Sequence, residues 1–347
     1  MTAGEDPASA GGRAGTIREL GERGLIERVR RRLGPPGPGV VVGIGDDAAV
    51  VAVGDRTLLL TTDTLIEGVH FRRQTATLRD IGAKALAVNV SDIAAMGGEP
   101  RWALLALGLP PDLPVTDVDE LYAGLGETAA QQGVSLIGGD TCAAPAGLVL
   151  GITVVGEVQG APLRRTGARP GDVLLVTGTL GGAAAGLAVL EGGAGSAPPD
   201  AVDAVCRAHR RPTPRVAEGR AIRASGVATA MIDLSDGLAT DLGHLLEESG
   251  VGAEVRLADL PIAPATRAVA RARGVDVVHW AVSGGEDYEL LFTADGPHAA
   301  ALARDVSAKT GTPVRIVGEI GPATRGLRFL DATGRRHAVR AGFDHFA

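Results

Sequence analysis

The sequence is poor in lysine, aromatic residues and cysteine, and each shortage argues against a class of protein. Among 34 basic residues only Lys84 and Lys309 are lysine, the formal net charge is −7, and nine of 347 residues are aromatic. Nucleic-acid binders usually need a basic surface and aromatic stacking platforms, so we do not expect a nucleic-acid partner. Cys142 and Cys206 lie far apart without a CxxC or Cys/His metal spacing, which is typical of reduced thiols in a cytoplasmic protein.

Long hydrophobic runs are also missing. No apolar run reaches the roughly 18 residues that a membrane span needs. Residues 1–16 lack the basic and apolar regions of a signal peptide, and we expect a disordered polar tail there. The sequence therefore predicts a cytoplasmic protein without a membrane partner.

Glycine is abundant instead, with 51 residues, about twice its ordinary usage of roughly 7%. Hydrophobic residues make up 45% of the chain, which is enough for a core, and the length of 347 residues favours about two domains. A polar, proline-bearing segment at 159–170 indicates the boundary. We predict an α/β (α+β) protein with mixed or antiparallel sheets, formed by residues 17–160 and 161–347.

The residue patterns predict particular elements in each half. In the first half these are helices at 17–33, 78–96 and 118–132, a hairpin of 40–53 and 57–64, and strands at 101–109 and 147–158. In the second half they are strands at 173–177, 228–233, 288–293 and 313–320, helices at 181–190, 236–248 and 297–310, and a flexible loop at 191–200 followed by another helix. Ser235 is the expected N-cap of the helix at 236–248.

Acidic residues stand within or beside apolar segments at several places. They are Asp46 and Asp47 after GIG, Asp63 in TTDT, Asp92 in NVSD, Asp140 in GGDT, Asp233 and Asp236 in DLSD, and Glu286 and Asp287 in SGGED. A carboxylate in an apolar setting is costly unless it is paired or binds a metal, and Lys84 is the one basic residue in the middle of the helix that carries Asp92. Each acid alone could cap a helix or close a turn. So many together favour Mg²⁺, which prefers oxygen ligands.

The usual phosphate-binding motifs are missing from the sequence. It contains no GxxxxGK[ST] loop, and GTLGG at 178–182 does not fit the GxGxxG spacing, so we interpret it as a tight turn. Phosphoryl transfer needs mainly positioning and charge neutralisation, which Mg²⁺ ions and glycine-loop amides can supply.

Eight blocks between roughly residues 17 and 346 carry a family resemblance. They are GIGDDAAV, TTDTLIEGVHF, KALAVNVSDIAAMG, LIGGDT, RTGARPGD, IDLSDGLATDLGHL, SGGEDYEL and GFDHF. In this order they resemble the thiamine-monophosphate kinase family, which belongs to the ATP-using synthetases typified by aminoimidazole ribonucleotide synthetase. The resemblance implies a two-domain fold, ATP-dependent phosphorylation of thiamine monophosphate to thiamine diphosphate with several Mg²⁺ ions, and a homodimer whose N-terminal domains form a barrel-like sheet.

The resemblance also assigns roles to residues. The implied metal ligands are Asp47, Thr61, Thr62, Asp63, Asp92, Asp140, Asp233 and Asp236, of which Asp47, Asp92, Asp140 and Asp233 form the catalytic set. The implied ATP contacts are Gly139, Asp140, Arg165 and Ser235, and the implied substrate contacts are His70, Glu286 and Phe343. The acceptor phosphate has a second pKa of about 6 and needs no general base, so we expect direct in-line transfer without a phosphoenzyme. The thiazolium ring is cationic, which suits a carboxylate such as that of Glu286.

Several alternatives stay open. Asp46 and Asp47 point to opposite faces if the strand continues through them, so we assign Asp47 to the site and Asp46 to a turn or a supporting position. His70 could be a surface residue, and Phe343 could pack the carboxy-terminal tail. Any of Arg164, Arg165 and Arg169 could be solvated, and the match at Arg165-Thr166-Gly167 favours Arg165. The superfamily also contains selenophosphate synthetase, aminoimidazole ribonucleotide synthetase and the hydrogenase-maturation dehydratase. Selenophosphate synthetase usually carries a reactive Cys or selenocysteine near its start, and the dehydratase carries a terminal Cys. A non-catalytic nucleotide-binding dimer is the alternative from another class.

Overall fold

The structure is a computed structural model that describes residues 16–339 and residue 342. The predicted tail at 1–16 lies outside the described residues except for Thr16. The described residues divide into two units, one that ends at residue 36 and one that begins at residue 37. In the first unit, the predicted helix at 17–33 is confirmed as α1 (Ile17–Leu33), which begins with a capping box between Thr16 and Glu19.

The second unit contains a first mixed sheet that carries two helices. Its strands are β1 (Val40–Val42), β2 (Ala49–Val53), β3 (Arg56–Ile66), β4 (Glu99–Leu109), β5 (Ser135–Ala143) and β6 (Val149–Val158), and the helices are α2 (Leu78–Ala95) and α3 (Val115–Gln132). The order across the sheet is β1-β2-β3-β6-β4-β5. β4 and β5 pair in parallel, and the other neighbours are antiparallel.

A second mixed sheet follows in the same unit. Its strands are β7 (Val173–Thr177), β8 (Ala228–Asp233), β9 (Val251–Arg256), β10 (Leu290–Ala294), β11 (Val314–Pro322), β12 (Leu327–Leu330) and β13 (Arg336–His337), in the order β13-β12-β9-β11-β7-β10-β8. The helices are α4 (Gly182–Gly192), α5 (Pro199–Arg210), α6 (Val216–Ala224), α7 (Leu238–Ser249), α8 (Pro264–Arg273), α9 (Val277–Ser283) and α10 (Gly296–Thr310). β9 and β12 pair in parallel.

The structure confirms the α/β class and the mixed sheets, and it corrects several elements. The predicted strand at 40–53 is two short strands, and the predicted loop at 191–200 is shorter because α4 continues to Gly192 and α5 begins at Pro199. The sequence patterns do not predict β5, β9, β12, β13, α8 and α9, and the single helix that they predict after the loop is two helices, α5 and α6. In β5 the cause is the pair Gly138-Gly139, which is typical of a turn but lies here in a strand.

Helix α2 is buried on nearly every side, and this burial positions the site described below. The helix begins after Thr77, whose side chain accepts a hydrogen bond from the Asp80 amide, and 14 of its 18 residues are buried. It packs against the first sheet, α3, α6 and β8. Although α2 is apolar, no helix within the described ranges is long and apolar enough to cross a membrane.

Two glycines allow α2 and α3 to pack closely. A Cβ added at Gly82 would lie 2.1 Å from the Leu121 carbonyl oxygen, and one added at Gly124 would lie 1.9 Å from the Arg79 carbonyl oxygen. These are backbone atoms of the facing helix, so neither clash can be relieved by a rotamer change.

We expect Gly124→Ala to lower the free energy of unfolding by about 1–3 kcal/mol, since overpacking outweighs the better helix propensity of alanine. Gly126→Ala in the same helix is the matched control, because a Cβ there meets nothing within 4 Å, and it should stabilise by up to about 1 kcal/mol. Urea unfolding of both variants measures the difference. Equal stability of the two variants would contradict the close packing.

Candidate active site

Three carboxylates from separate elements meet at one point. Asp47 follows β1 in the loop before β2, Asp92 lies near the end of α2, and Asp233 is the last residue of β8. One carboxylate oxygen of each lies within 4.8 Å of the others, and Asp47 and Asp233 are buried while Asp92 is half-buried. We call this group the acidic centre. The prediction that Asp47 rather than Asp46 faces this centre agrees with the geometry.

Hydroxyl and amide groups orient the acidic centre. Thr61 Oγ1 donates to Asp92 Oδ2 at 2.5 Å, and Ser91 Oγ donates to Asp233 Oδ2 at 2.6 Å. The Asp63 amide donates to Asn89 Oδ1 at 2.9 Å. Ser91 and Asn89 were not singled out from the sequence, although two polar residues inside an apolar helix are the signal that could have found them.

Arg165 supplies a cation to the acidic centre. Its Nη2 and Nε donate to Asp47 Oδ1 at 2.7 and 3.1 Å, and its backbone amide donates to Asp46 Oδ1 at 3.1 Å. The buried Asp47 Oδ2 has no hydrogen-bond partner among the described residues. The pairing of Arg165 with Asp47 has no local sign in the sequence, because 118 positions separate the two residues.

Burial raises the pKa values of these carboxyl groups. It raises the pKa of Asp233 to about 7, with the Asp47 charge adding to the effect, and it raises the pKa of Asp92 well above its usual range with help from Asp63 and Asp233. Burial also raises the pKa of Asp47, although Arg165 opposes the shift. One guanidinium thus faces several buried carboxylates. The excess of oxygen donors and the unpartnered Asp47 Oδ2 fit a divalent cation.

A pH-dependent stability follows for the protein without divalent cations. Folding raises the pKa values of Asp46, Asp233 and Asp287 from 3.8 to about 7. Their contribution to the free energy of unfolding is therefore complete below about pH 4 and is lost as the pH rises through about 7. We expect the melting temperature in a chelator to fall between about pH 5 and pH 8. Mg²⁺ should restore it at pH 8 far more than at pH 5, because protons compete with the metal. An equal effect of Mg²⁺ at both pH values would contradict this account.

Asp63 lies close to the acidic centre, but Thr62 does not. Thr61 and Asp63 lie on the face of β3 toward α2, and the exposed Thr62 lies on the opposite face, where its hydroxyl donates to the Ile152 carbonyl. Burial raises the pKa of Asp63. Within one chain the geometry thus favours Thr61 and Asp63, but not Thr62, as partners of the acidic centre.

Gly139 and Asp140 lie on β5 at the edge of the first sheet. The strand register runs from Asp63 through Ile152 and Leu105 to Gly139. Three steps between strands separate Asp63 from Gly139 by about 14 Å. Asp140 is exposed and does not join the acidic centre of its own chain.

The prediction that Ser235 caps the following helix is wrong. Helix α7 begins at Leu238 with Gly237 as its N-cap, and Gly237 makes no side-chain cap. Asp241 reaches back instead, and its Oδ2 accepts hydrogen bonds from the amides of Asp236 and Gly237 at 3.1 and 3.0 Å. Ser235 and Asp236 therefore lie in a loop directly after the acidic centre, held by an aspartate from the first turn of α7.

The glycine loop before α4 is occupied by a side chain of the protein itself. Asp287 Oδ2 accepts from the Gly181 amide at 2.6 Å, and its Oδ1 accepts from the Ala183 amide at 3.2 Å. Gly178 and Gly181 have positive φ values of 55° and 77°. Residues 178–181 bend the chain between β7 and α4, and the helix N-terminus that could bind a phosphate already holds a carboxylate.

The predicted substrate contacts lie in different surroundings. His70 Nδ1 accepts from the Ile66 amide at 3.0 Å in the turn after β3. Glu286 has a positive φ of 69°, its amide donates to the Ser235 carbonyl at 2.7 Å, and its carboxylate contacts Lys84 at 2.5 Å. Phe343 lies outside the described residues.

The chain matches known proteins over nearly its whole length. Residues 45–158 match the AIR synthase related protein N-terminal domain, and residues 169–329 match the C-terminal domain of the same family. A thiamine-monophosphate kinase of Salmonella typhimurium is 42% identical over 336 residues, which cover 94% of this chain and 98% of the relative.

Solved structures agree in fold. The structure of AaThiL complexed with AMPPCP and TMP has a TM-score of 0.83 and 33% identity and covers 96% of this chain and 100% of that chain. A thiamine-monophosphate kinase from Stenotrophomonas maltophilia has a TM-score of 0.73 and 38% identity and covers 88% of this chain and 95% of its own. The chain therefore belongs to the thiamine-monophosphate kinase family of phosphotransferases, within the AIR synthase related proteins.

Proposed function

We propose that this protein phosphorylates thiamine monophosphate to thiamine diphosphate with ATP as the phosphoryl donor. The observation that carries the proposal is the acidic centre, a buried group of carboxylates on three separate elements of a chain 42% identical to a thiamine-monophosphate kinase. The related complex with AMPPCP, an ATP analogue, and TMP supports both substrates. We also propose that the protein is cytoplasmic and that residues 17–160 and 161–347 form its two domains.

The acidic centre fits Mg²⁺ as the cation. We propose that Asp47, Asp92 and Asp233 hold it, with Thr61 and Asp63 beside them, and that Asp236 serves a further ion. Bound Mg²⁺ would neutralise charge on the phosphate oxygens, which lowers the repulsion between two anionic substrates.

The hydrogen bonds of the site serve this purpose by holding the carboxylates in place. The hydroxyl groups of Thr61 and Ser91 each donate a hydrogen bond to one carboxylate oxygen, of Asp92 and Asp233 respectively. The other oxygen of each carboxylate is left for a cation. Arg165 is the proposed ATP contact, because its guanidinium is the cation next to Asp47. Ser235 follows Asp233 by two residues and is the second proposed ATP contact.

The acceptor supplies its own nucleophile. A phosphate monoester with a second pKa of about 6 is mostly a dianion at neutral pH, so an oxygen of thiamine monophosphate can attack the terminal phosphorus of ATP directly. We propose in-line transfer without a phosphoenzyme. His70, Glu286 and Phe343 are the proposed substrate contacts.

A homodimer is proposed because one face of the first sheet carries exposed apolar side chains in the single chain. Ile66, Leu104 and Ile137 on that face are exposed by 41%, 42% and 58%. A second copy would cover it if two such sheets paired face to face in a barrel-like arrangement. Gly139 and Asp140, which are distant from the acidic centre of their own chain, would then serve the centre of the second copy as ATP and metal contacts.

We expect purified protein with ATP and Mg²⁺ to convert thiamine monophosphate to thiamine diphosphate and ADP. Free thiamine should give little product, because it lacks the anionic phosphate that attacks ATP. Chromatographic separation of the thiamine species measures both. If thiamine monophosphate is not consumed, the proposed substrate is wrong. Consumption of another phosphate ester would then favour a related ATP-using synthetase. Consumption of no phosphate ester would favour a non-catalytic nucleotide-binding dimer.

A further inference from the structure

A buried ion cluster lies behind the Glu286 carboxylate. Lys84 Nζ contacts Glu286 Oε1 at 2.5 Å, and His209 Nδ1 contacts Glu286 Oε2 at 3.0 Å. The side chains of Lys84 and His209 are only 5% and 8% exposed. Lys84 lies on α2 and His209 on α5, so both carboxylate oxygens are held from two different elements. Neither residue has a role in the proposed reaction so far.

The charges of the cluster favour an ionised carboxylate. Burial opposes the charge of Glu286, but Lys84 and His209 outweigh it and lower the pKa of Glu286 to about 2. His209 Nδ1 and Lys84 Nζ are buried and have no hydrogen-bond partner among the described residues, and Glu286 is the charged group that each of them contacts. Lys84 is one of two lysines in a chain whose basic residues are otherwise arginine. Its compact ammonium contacts one oxygen of Glu286, whereas His209 contacts the other.

The backbone beside the cluster needs this support. Glu286 and Tyr288 are the non-glycine residues with positive φ in the described chain, at 69° and 50°, and such conformations persist only where surrounding contacts hold them. Tyr288 is buried in the core of the first sheet, and Glu289 pairs with Arg215 at 2.6 Å. With Asp287 in the loop before α4, each side chain of the segment 286–289 is fixed by a different part of the protein.

This segment lies against the loop that follows the acidic centre. The Glu286 amide donates to the Ser235 carbonyl at 2.7 Å, and the Tyr288 amide donates to the Leu234 carbonyl at 2.8 Å. A displacement of the Glu286 side chain therefore affects the proposed substrate contact directly and the Leu234–Ser235 loop only through the backbone.

We infer that Lys84 and His209 are positioning residues for thiamine monophosphate, which act by holding the carboxylate of Glu286 toward the substrate. The inference rests on the proposed function and on the proposed contact between Glu286 and the substrate. Without Lys84, the half-buried Glu286 loses a cation that contacts it, and its carboxylate is no longer held in one orientation.

Kinetics of the variants test the inference. Lys84→Met should raise KM for thiamine monophosphate at least about tenfold, and KM for ATP should change less than about twofold. Lys309→Met is the matched control on the exposed face of α10 and should behave like wild type. The double variant Lys84→Met with Glu286→Gln should be no worse than Glu286→Gln alone, because Lys84 acts through Glu286. Additive losses, or equal changes in both KM values, would overturn the inference.

Histidine variants test the second positioning residue. His209→Asn keeps a donor near the position of Nδ1 and should retain KM for thiamine monophosphate within about threefold, whereas His209→Leu should raise it at least about tenfold. Equal KM values for the two variants would contradict a role for the polar contact between His209 and Glu286.

Spectroscopy of the wild-type protein tests Lys84 even if the variants do not fold. Protein labelled with ¹³C-lysine should give two side-chain signals, from Lys84 and Lys309. Thiamine monophosphate alone should shift the Lys84 signal and leave that of Lys309 unchanged. An unshifted Lys84 signal at saturating substrate would overturn the inference while the enzyme still makes thiamine diphosphate, whereas an enzyme that makes none would refute the proposed function itself.

Discussion

Asp92→Asn is expected to lower kcat on the order of 10³-fold while the protein stays folded. The substitution removes one of three carboxylates from the acidic centre and keeps the shape of the side chain. Burial and the neighbouring acids raise the pKa of Asp92 well above its usual range, so the neutral amide should keep or raise the melting temperature in a chelator. Steady-state kinetics and a thermal melt measure the two effects.

A surface aspartate provides the control. Asp55 is exposed in the turn between β2 and β3, and Asp55→Asn should leave kcat within about twofold. Near-normal turnover of Asp92→Asn would contradict a metal-binding role for the acidic centre. A loss of turnover accompanied by a large drop in melting temperature would mean that Asp92 is structural.

Two inactive variants are expected to restore activity when they are paired in one dimer. In a heterodimer of Asp92→Asn and Asp140→Asn chains, one centre carries both defects and the other carries neither, provided that Asp140 serves the second copy. Heterodimers purified through two different tags should therefore show about half of wild-type activity, although each parent variant is nearly inactive.

A second heterodimer makes this experiment decisive. Asp92→Asn paired with Asp233→Asn damages both centres, because both residues belong to the acidic centre of their own chain. This pair should stay as inactive as its parents. If the Asp92→Asn and Asp140→Asn pair also stays inactive, Asp140 does not act across the dimer.

Much of the fold could be predicted because local patterns carry it. The apolar run around Asp92 predicts α2, and the Gly54-Asp55 turn predicts the β2–β3 hairpin, both of which the structure confirms. The strand β5 was missed because its glycines imitate a turn. The cap of α7 was missed because Asp241, not the preceding serine, supplies the acceptor.

Less of the site can be predicted from the sequence, because contacts between residues far apart in the chain form it. Asp47, Asp92 and Asp233 are among the acidic residues that stand out in apolar segments, because a carboxylate buried without a partner or a metal is costly, and the structure brings these three together. The partners of the acids depend on how the chain folds back. Lys84 contacts Glu286 rather than Asp92 on its own helix, and the sequence contains no local sign of that contact.

The most direct test of the account is a crystal structure with Mn²⁺ and AMPPCP, in which anomalous scattering locates the metal. The account predicts a peak coordinated by carboxylate oxygens of Asp47, Asp92 and Asp233, with a phosphate oxygen of the analogue beside it. Peaks only at other positions, in crystals of a protein that converts thiamine monophosphate to thiamine diphosphate in solution, would contradict it.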